Sequence, residues 1–313
     1  MTQPPNPQIS RRDSLRDLSS SHAMEIIRTI SWMSQVAREA HVKERVIGLV
    51  PTMGALHEGH FSLIRAAKSE CSPVVVSIFV NPKQFGPSED FQKYPRAFEA
   101  DRAALENLGV DYLFAPTPEE IYPQGFRTTV AVEGLSEKLE GRSRPGHFQG
   151  VTTVVLKLLE IVQPNRTYFG RKDAQQARII RQMASDLNLA TQIVVRPILR
   201  EADGLALSSR NVYLNADERR AATVLYRSLE AVRQKIIGGE RSAVPLLATL
   251  RRVIDSEPGV VLDYAEIVDA ETLEPVVSLR SECLILIAAK LGKTRLIDNA
   301  LIEENNGSFR MTL

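Results

Sequence analysis

The stretch Arg45-Val46-Ile47-Gly48-Leu49-Val50-Pro51-Thr52-Met53-Gly54-Ala55-Leu56-His57-Glu58-Gly59-His60-Phe61 decides the fold. Val46 to Val50 is a short apolar run, as expected of a strand buried on both faces of a parallel sheet. Helix-like sequence then runs from Phe61 to Cys71, so Pro51 to His60 is a strand-to-helix connection. In an open α/β sheet such connections lie at the carboxyl ends of strands, where helix N-termini offer free N–H groups to anions. Phosphate is the natural guest there. His57 and His60, at i and i+3, share one face of a first helical turn, so both imidazoles can donate to one phosphate. Gly54 and Gly59 permit close approach of backbone or nucleotide. A His-Glu pair also occurs in zinc proteases, but that motif sets its second histidine at i+4, not i+3.

Working outward, the same alternation continues from Arg45 to about Pro197. Strand-like runs at Val74–Val80, Tyr112–Ala115, Thr167–Phe169 and Gln192–Val195 alternate with helix-period segments. Val151, Val154, Val155, Leu158, Leu159 and Val162 recur at three- and four-residue spacing, one buried helix stripe. The expectation is an α/β fold with a doubly wound parallel sheet, Rossmann-like, followed by a smaller α+β C-terminal domain. In the latter a helix starts at Asn215, with Glu218 three residues on, and runs through Leu225, Leu229 and Ile236 to Gly238-Gly239. A second helix at 242–255 and strands at 284–289 and 294–297 follow. The division expected is a disordered tail over 1–23, a nucleotide-binding domain over 24–198, a C-terminal lid domain over 199–304 and a disordered tail over 305–313. The first tail holds Pro4, Pro5, Pro7 and Ser19 to Ser21 and no apolar signal core, and Met24 is an alternative start.

The chain has 313 residues, of which 43% are hydrophobic and 25% charged, enough to build a packed core. The 39 Lys+Arg and 38 Asp+Glu leave a charge of +1, so the electrostatic footprint of a nucleic-acid binder is missing. The most apolar window, Cys283 to Ala289, is far shorter than the ~20 residues of a membrane-spanning helix. Cys71 and Cys283 are too few and too far apart for a disulfide framework or cysteine zinc site, which fits a reducing cytoplasm. No two of the 17 glycines are two residues apart, which excludes the dinucleotide fingerprint. Gly292-Lys293-Thr294 lacks the P-loop's other glycine, since Ile287 stands there.

His57-x-Gly59-His60 resembles the HIGH motif of the adenylate-forming nucleotidyltransferases, and Pro51 to His60 as a whole resembles the pantoate–β-alanine ligase family. Four further stretches match that family in order: Asn81-Pro82-Lys83-Gln84-Phe85 with Tyr94-Pro95-Arg96, Arg144-Pro145-Gly146-His147-Phe148, Phe169 to Gln176, and Arg200 to Asn211. The resemblance implies that ATP and pantoate form pantoyl adenylate with loss of pyrophosphate, and that β-alanine then displaces AMP to give pantothenate. It implies a homodimer and a magnesium ion accompanying ATP. Such chemistry needs charge neutralisation and alignment more than an enzyme nucleophile, and none of the usual nucleophile motifs is present.

By the same resemblance His57 and His60 face the phosphates, with His60 a proton donor, and Lys172 adds a mobile positive charge. Ser208, Ser209 and Arg210 correspond to the second synthetase motif, KMSKS, and hold pyrophosphate. Met53, Gly54, Gly59, Gly170, Arg171, Asp173, Leu199 and Leu207 complete the ATP site, Gly170 and Asp173 as ribose contacts. Gln84 and Gln176 bind pantoate, with Asn81 and Arg144 nearby, and Asp101 lies near the magnesium. The sequence departs from the family pattern at Arg171, Ala174 and Leu207, none of which removes a group with a stated role. A related transferase acting on a phosphate acceptor would need further cations where Gln84 and Gln176 stand. A binding protein that had kept only the fold would be marked by loss of His60 or Lys172.

Overall fold

The computed structural model describes residues 23–87 and 89–313; the expected tail at 1–23 lies, except for Ala23, outside the described residues. The first part of the chain runs β1 (Glu25–Ile27), α1 (Ile30–Val42), β2 (Gly48–Thr52), α2 (Glu58–Glu70), β3 (Val74–Ile78), α3 (Phe98–Asn107), β4 (Tyr112–Phe114), α4 (Pro118–Ile121), α5 (Glu140–Ser143), α6 (His147–Val162), β5 (Arg166–Gly170), α7 (Ala174–Asp186) and β6 (Gln192–Arg196). All six strands pair in parallel in the order β1-β4-β3-β2-β5-β6. The five strands read from sequence are all present, within two residues of their expected bounds. β1 escapes a sequence reading because three edge residues carry no period of their own.

From β2 the chain builds outward through β3 and β4, then crosses back and builds the other way through β5 and β6. The crevice of a doubly wound sheet opens where the direction reverses, here at the carboxyl ends of β2 and β5. One end carries Met53 to His60 and the other Arg171 to Asp173. Apolar residues fill both faces: Leu49 and Val75 belong to one core with α1, α6 and α7, while Val50, Val74 and Val76 belong to the other with α2 and α3. The stripe predicted on α6 is buried at all six positions. Gly150 brings α6 against the turn after Asn81, since a Cβ there would lie 2.2 Å from the Lys83 carbonyl oxygen.

The second part runs α8 (Ala216–Ala221), α9 (Val224–Ile237), α10 (Ala243–Asp255), β7 (Val260–Asp269), β8 (Glu282–Leu291), β9 (Thr294–Asn305) and β10 (Ser308–Thr312). Its strands form an antiparallel sheet ordered β10-β9-β8-β7, with its own apolar core against α9 and α10. Asn215 caps α8 in the expected capping box with Glu218. The single helix expected from there is two, because Thr223 N–H and Oγ both bond the Arg220 carbonyl and tighten the turn. Residues 305–313, expected as a disordered tail, instead form a hairpin turn and a strand. Asn306 and Gly307 both have positive φ, 50° and 78°, as an Asn-Gly hairpin turn requires, and β10 pairs with β9 along its length. Among the described residues no helix is long and apolar enough to cross a membrane.

Candidate active site

The connection after β2 is shaped before any substrate arrives. Gly54 and Ala55 both have positive φ, 82° and 51°, so the chain turns back sharply. The turn is held by Asp101 on α3, whose carboxylate accepts the N–H groups of Ala55 and Leu56, each at 2.8 Å. Asp101 is buried, and burial raises its pKa against the lowering effect of those two bonds. The residue expected beside magnesium is therefore placed as a brace of the histidine loop.

His57 is the N-cap of α2, and its Nδ1 accepts the Gly59 N–H at 3.2 Å. His60 completes a reciprocal box, its Nδ1 accepting the His57 N–H at 3.3 Å. With Nδ1 an acceptor on each ring, each neutral imidazole carries its proton on Nε2. The ring centroids lie 4.1 Å apart. Burial is the main cause that lowers both pKa values, to about 4 for His57 and about 3 for His60, with further lowering from Lys172 at both and from the histidine neighbour at His60. Two neutral hydrogen-bond donors at a helix N-terminus result. A side chain at Gly59 would have to displace the His57 ring, because a Cβ would lie 2.9 Å from it.

Across the crevice, β5 ends in Gly170 and a short 3-10 turn, Arg171–Asp173, that leads into α7. Lys172 and Asp173 line the same cleft as the histidines, with Lys172 Nζ 3.9 Å from the Asp173 carboxylate. The third wall is the segment Leu199 to Arg210, pinned on itself by Leu207 N–H to the Leu199 carbonyl at 3.0 Å. Ser208 caps the turn that follows, and Ser209 Oγ lies 3.2 Å from the Tyr94 hydroxyl. Arg210 makes a bidentate pair with Asp90, both bonds 3.0 Å.

The inner part of the cleft has a volume of about 240 Å³ and opens into a larger space of about 920 Å³ between the two sheets. Of the predicted site residues, all but Gly54, Arg171 and Asp101 line the inner part. The Arg171 guanidinium turns away toward the Thr312 carbonyl. Gln84 donates to the Met53 sulfur at 3.1 Å, a weak acceptor that a substrate oxygen can replace. Asn81 is fully engaged by protein: its Nδ2 donates to Gln84 Oε1 and the Gly150 carbonyl, and its Oδ1 accepts from the Lys83 N–H and the Tyr122 hydroxyl. It holds Gln84 in place. Arg144 is gripped by Glu89 through two bonds of 2.8 and 2.7 Å, and donates to His147 Nε2 at 3.0 Å. His147 Nδ1–H then points at the Gln84 carbonyl, 2.8 Å away.

Sequence reasoning missed Glu89, Asp90 and Tyr94 as partners that set Arg144, Arg210 and Ser209. The aperiodic loop from Gly86 to Lys93 gave no sign of which acid would meet which arginine. It also placed His147 in a motif without a role. A signal was there: His147 follows Arg144 by three residues and precedes an apolar helix.

A parallel sheet with a paired-histidine helix N-terminus at its switch point, and a lysine and a Ser-Ser-Arg segment facing it, defines an α/β enzyme of the HIGH type that handles nucleotide phosphates. The profile of one family, Pantoate-beta-alanine ligase, matches residues 25–301. The chain is 53% identical over 280 residues to the pantothenate synthetase of Koribacter versatilis, covering 90% of this chain and 96% of that one. To the pantothenate synthetase of Heliobacterium modesticaldum it is 54% identical, covering 90% of this chain and all of that one. The crystal structure of pantothenate synthetase from Thermus thermophilus superposes with a TM-score of 0.84 at 46% identity, covering 88% of this chain and 98% of that chain. That of pantoate-beta-alanine ligase from Francisella tularensis, complexed with beta-gamma ATP and beta-alanine, gives 0.73 at 40% identity, covering 88% and 97%. The chain belongs to the pantoate–β-alanine ligase family. It is a ligase, and its reaction is the ATP-dependent condensation of pantoate with β-alanine to pantothenate through pantoyl adenylate, releasing AMP and pyrophosphate.

Proposed function

We propose that the first half of this reaction is carried by groups from three segments meeting at the switch point: His57 and His60, Lys172, and Ser208 to Arg210. The observation that supports this most is the hydrogen bonding of the histidine pair, in which each Nδ1 accepts a backbone N–H and so assigns an Nε2–H donor to each ring, on one helix N-terminus in the cleft that Lys172 also lines. As the pantoate carboxylate attacks the α-phosphorus of ATP, charge builds on the phosphate oxygens and on departing pyrophosphate. Fixed donors at that point stabilise the transition state more than the ground state. Held neutral, His60 acts as a hydrogen-bond donor rather than as an imidazolium acid. Gly170 and Asp173 take the ribose, and Met53, Gly54, Gly59, Leu199 and Leu207 shape the nucleotide site.

Gln84 and Gln176 form the polar side of the pantoate pocket, with Asn81 orienting Gln84 and Arg144 held beside it. Val151, Val154 and Val155 on α6 supply an apolar wall that suits the branched carbon of this hydroxy acid. The magnesium that accompanies ATP fits this donor set in one way. Among the described residues no cluster of three acidic, histidine or cysteine groups stands ready to cage an ion, so phosphate oxygens and water would hold it, where it screens polyphosphate charge. The part of the chain from residue 199 is proposed as a lid over the cleft, excluding water from a hydrolysable adenylate. The setting proposed is a homodimer in the cytoplasm, where the buried, free Cys71 and Cys283 suit a reducing medium.

Exchange of labelled pyrophosphate into ATP tests this reading, with magnesium and without any amine. Exchange that requires pantoate is expected; exchange without pantoate, or none with it, would count against an adenylate formed at this site.

A further inference from the structure

The chain's second sheet meets two walls of the cleft through two polar residues buried in the middle of β9. Asp298 and Asn299 are 2% and 1% exposed, and polar side chains are seldom buried so fully without dedicated partners. Each serves a different wall of the cleft. Asn299 Nδ2 donates to the carbonyl oxygens of Arg171 and Lys172, both at 2.8 Å. Asp298 takes a bidentate pair from Arg200 at 2.7 and 2.9 Å, and Arg200 also donates to the Gly204 carbonyl at 3.0 Å. One strand thus grips the turn that carries Lys172 and the loop that leads to Ser208.

We propose that Asn299 is a positioning residue of the adenylation step, fixing the two consecutive peptides of the Arg171–Lys172 turn so that the Lys172 ammonium stays beside the histidine pair. The inference rests on the phosphate role of Lys172 set out above. The Arg171–Asp173 turn is a single 3-10 turn between β5 and α7, too short to define the aim of a long lysine side chain by itself. A side-chain amide that donates both of its hydrogens to successive carbonyls fixes both peptide planes. The orientation of the amide is decided by its surroundings, since the other way round would set Oδ1 against two carbonyl oxygens. Oδ1 has no partner in the protein and is buried, so Asn299 contributes to this place through its two donors.

A double-mutant cycle separates positioning from packing. Initial rates of pantoate-dependent pyrophosphate exchange are measured against ATP and against pantoate for the full chain, Asn299→Asp, Lys172→Ala and the double variant. Asn299→Asp keeps the shape, removes both donors and sets an acceptor oxygen against the two carbonyls. It is expected to lower kcat/KM for ATP about tenfold while KM for pantoate stays within about twofold, and to cost nothing further once Lys172 is alanine. A full additional loss in the double variant, or equal losses toward both substrates, would show that Asn299 only glues the two parts of the chain together and would overturn the proposal. If Lys172→Ala itself leaves kcat/KM for ATP unchanged, the phosphate reading of Lys172 has failed, and the proposal with it, by a separable result. Asn299→Ala, which adds no charge beside Lys172 and leaves room for water at the two carbonyls, is taken through the same cycle, is judged by the same outcomes and decides between them if Asn299→Asp gives no cooperative thermal transition.

Discussion

The two sheets of this molecule contribute to one cleft in opposite ways. The parallel sheet delivers its chemistry at strand ends, where β2 and β5 stop and loops take over, so His57, His60, Lys172 and Asp173 sit in recognisable connections. The antiparallel sheet contributes from mid-strand, through Asp298 and Asn299 buried in β9. A strand end advertises itself, because glycines, histidines and lysines interrupt an apolar run. A mid-strand asparagine reads as one polar residue in a β pattern, and only the fold reveals that its amide meets the backbone of the other sheet's loop. On the proposed reading the connections carry the phosphate-facing groups, and one strand of the second sheet grips the turn that bears Lys172.

That contrast can be broken first at the brace of the histidine loop. Asp101→Asn keeps one carbonyl acceptor and leaves the N–H of Ala55 or Leu56 without its bond, so unfolding free energy is expected to fall by about 1–3 kcal/mol, read as a lower urea midpoint at unchanged slope. The magnesium dependence of pyrophosphate exchange should be the same as in the natural chain. A shifted magnesium requirement with intact stability would return Asp101 to the metal.

Gly59→Ala sharpens the comparison from within the strand-end site. The added methyl must push the His57 ring from a place that leaves 2.9 Å for a Cβ. An exchange rate lower by about tenfold is expected, with the melting temperature nearly unchanged since the fault lies in the cleft and not in a core. Full activity would mean that the ring need not sit where the structure puts it.

The smallest effect concerns protonation. In the unfolded chain both histidines take protons as pH falls below 6.5, whereas in the fold burial and Lys172 hold His57 to about 4 and His60 to about 3. The unfolded state thus binds more protons between these values, so this part of the stability is present above pH 6.5 and is lost as pH falls toward 4 for His57 and toward 3 for His60. The imidazole C–H signals of the pair should stay fixed from pH 7.5 to about 5 in a proton NMR titration. A step near pH 6.5 at either ring would contradict the neutral, donor-bearing pair.

Much of this was legible in the letters. The apolar run Val46 to Val50 ending in Pro51 to His60, and the six-residue stripe on α6, are local patterns with local causes, and both appear as read. Lys172 and Ser208 to Arg210, singled out by the family resemblance, line the cleft, because a short motif can be matched without knowledge of what packs against it. What failed lacks such patterns. β1 is too short to show a period, and the split between α8 and α9 hangs on one threonine hydroxyl. The strand at 308–312 is the exception, since Asn306-Gly307 is a strong hairpin signal. The pairings of Asp90 with Arg210 and of Glu89 with Arg144 depend on how an irregular loop is folded, which side-chain types alone do not determine.

The most direct test of the central claim, that the paired neutral histidines at the end of β2 promote adenylate formation, is pantoate-dependent pyrophosphate exchange in His60→Ala beside the natural chain. With folding confirmed by a cooperative thermal transition, the exchange rate is predicted to drop by about 10²- to 10³-fold. A folded His60→Ala chain that exchanges at the natural rate would contradict the account.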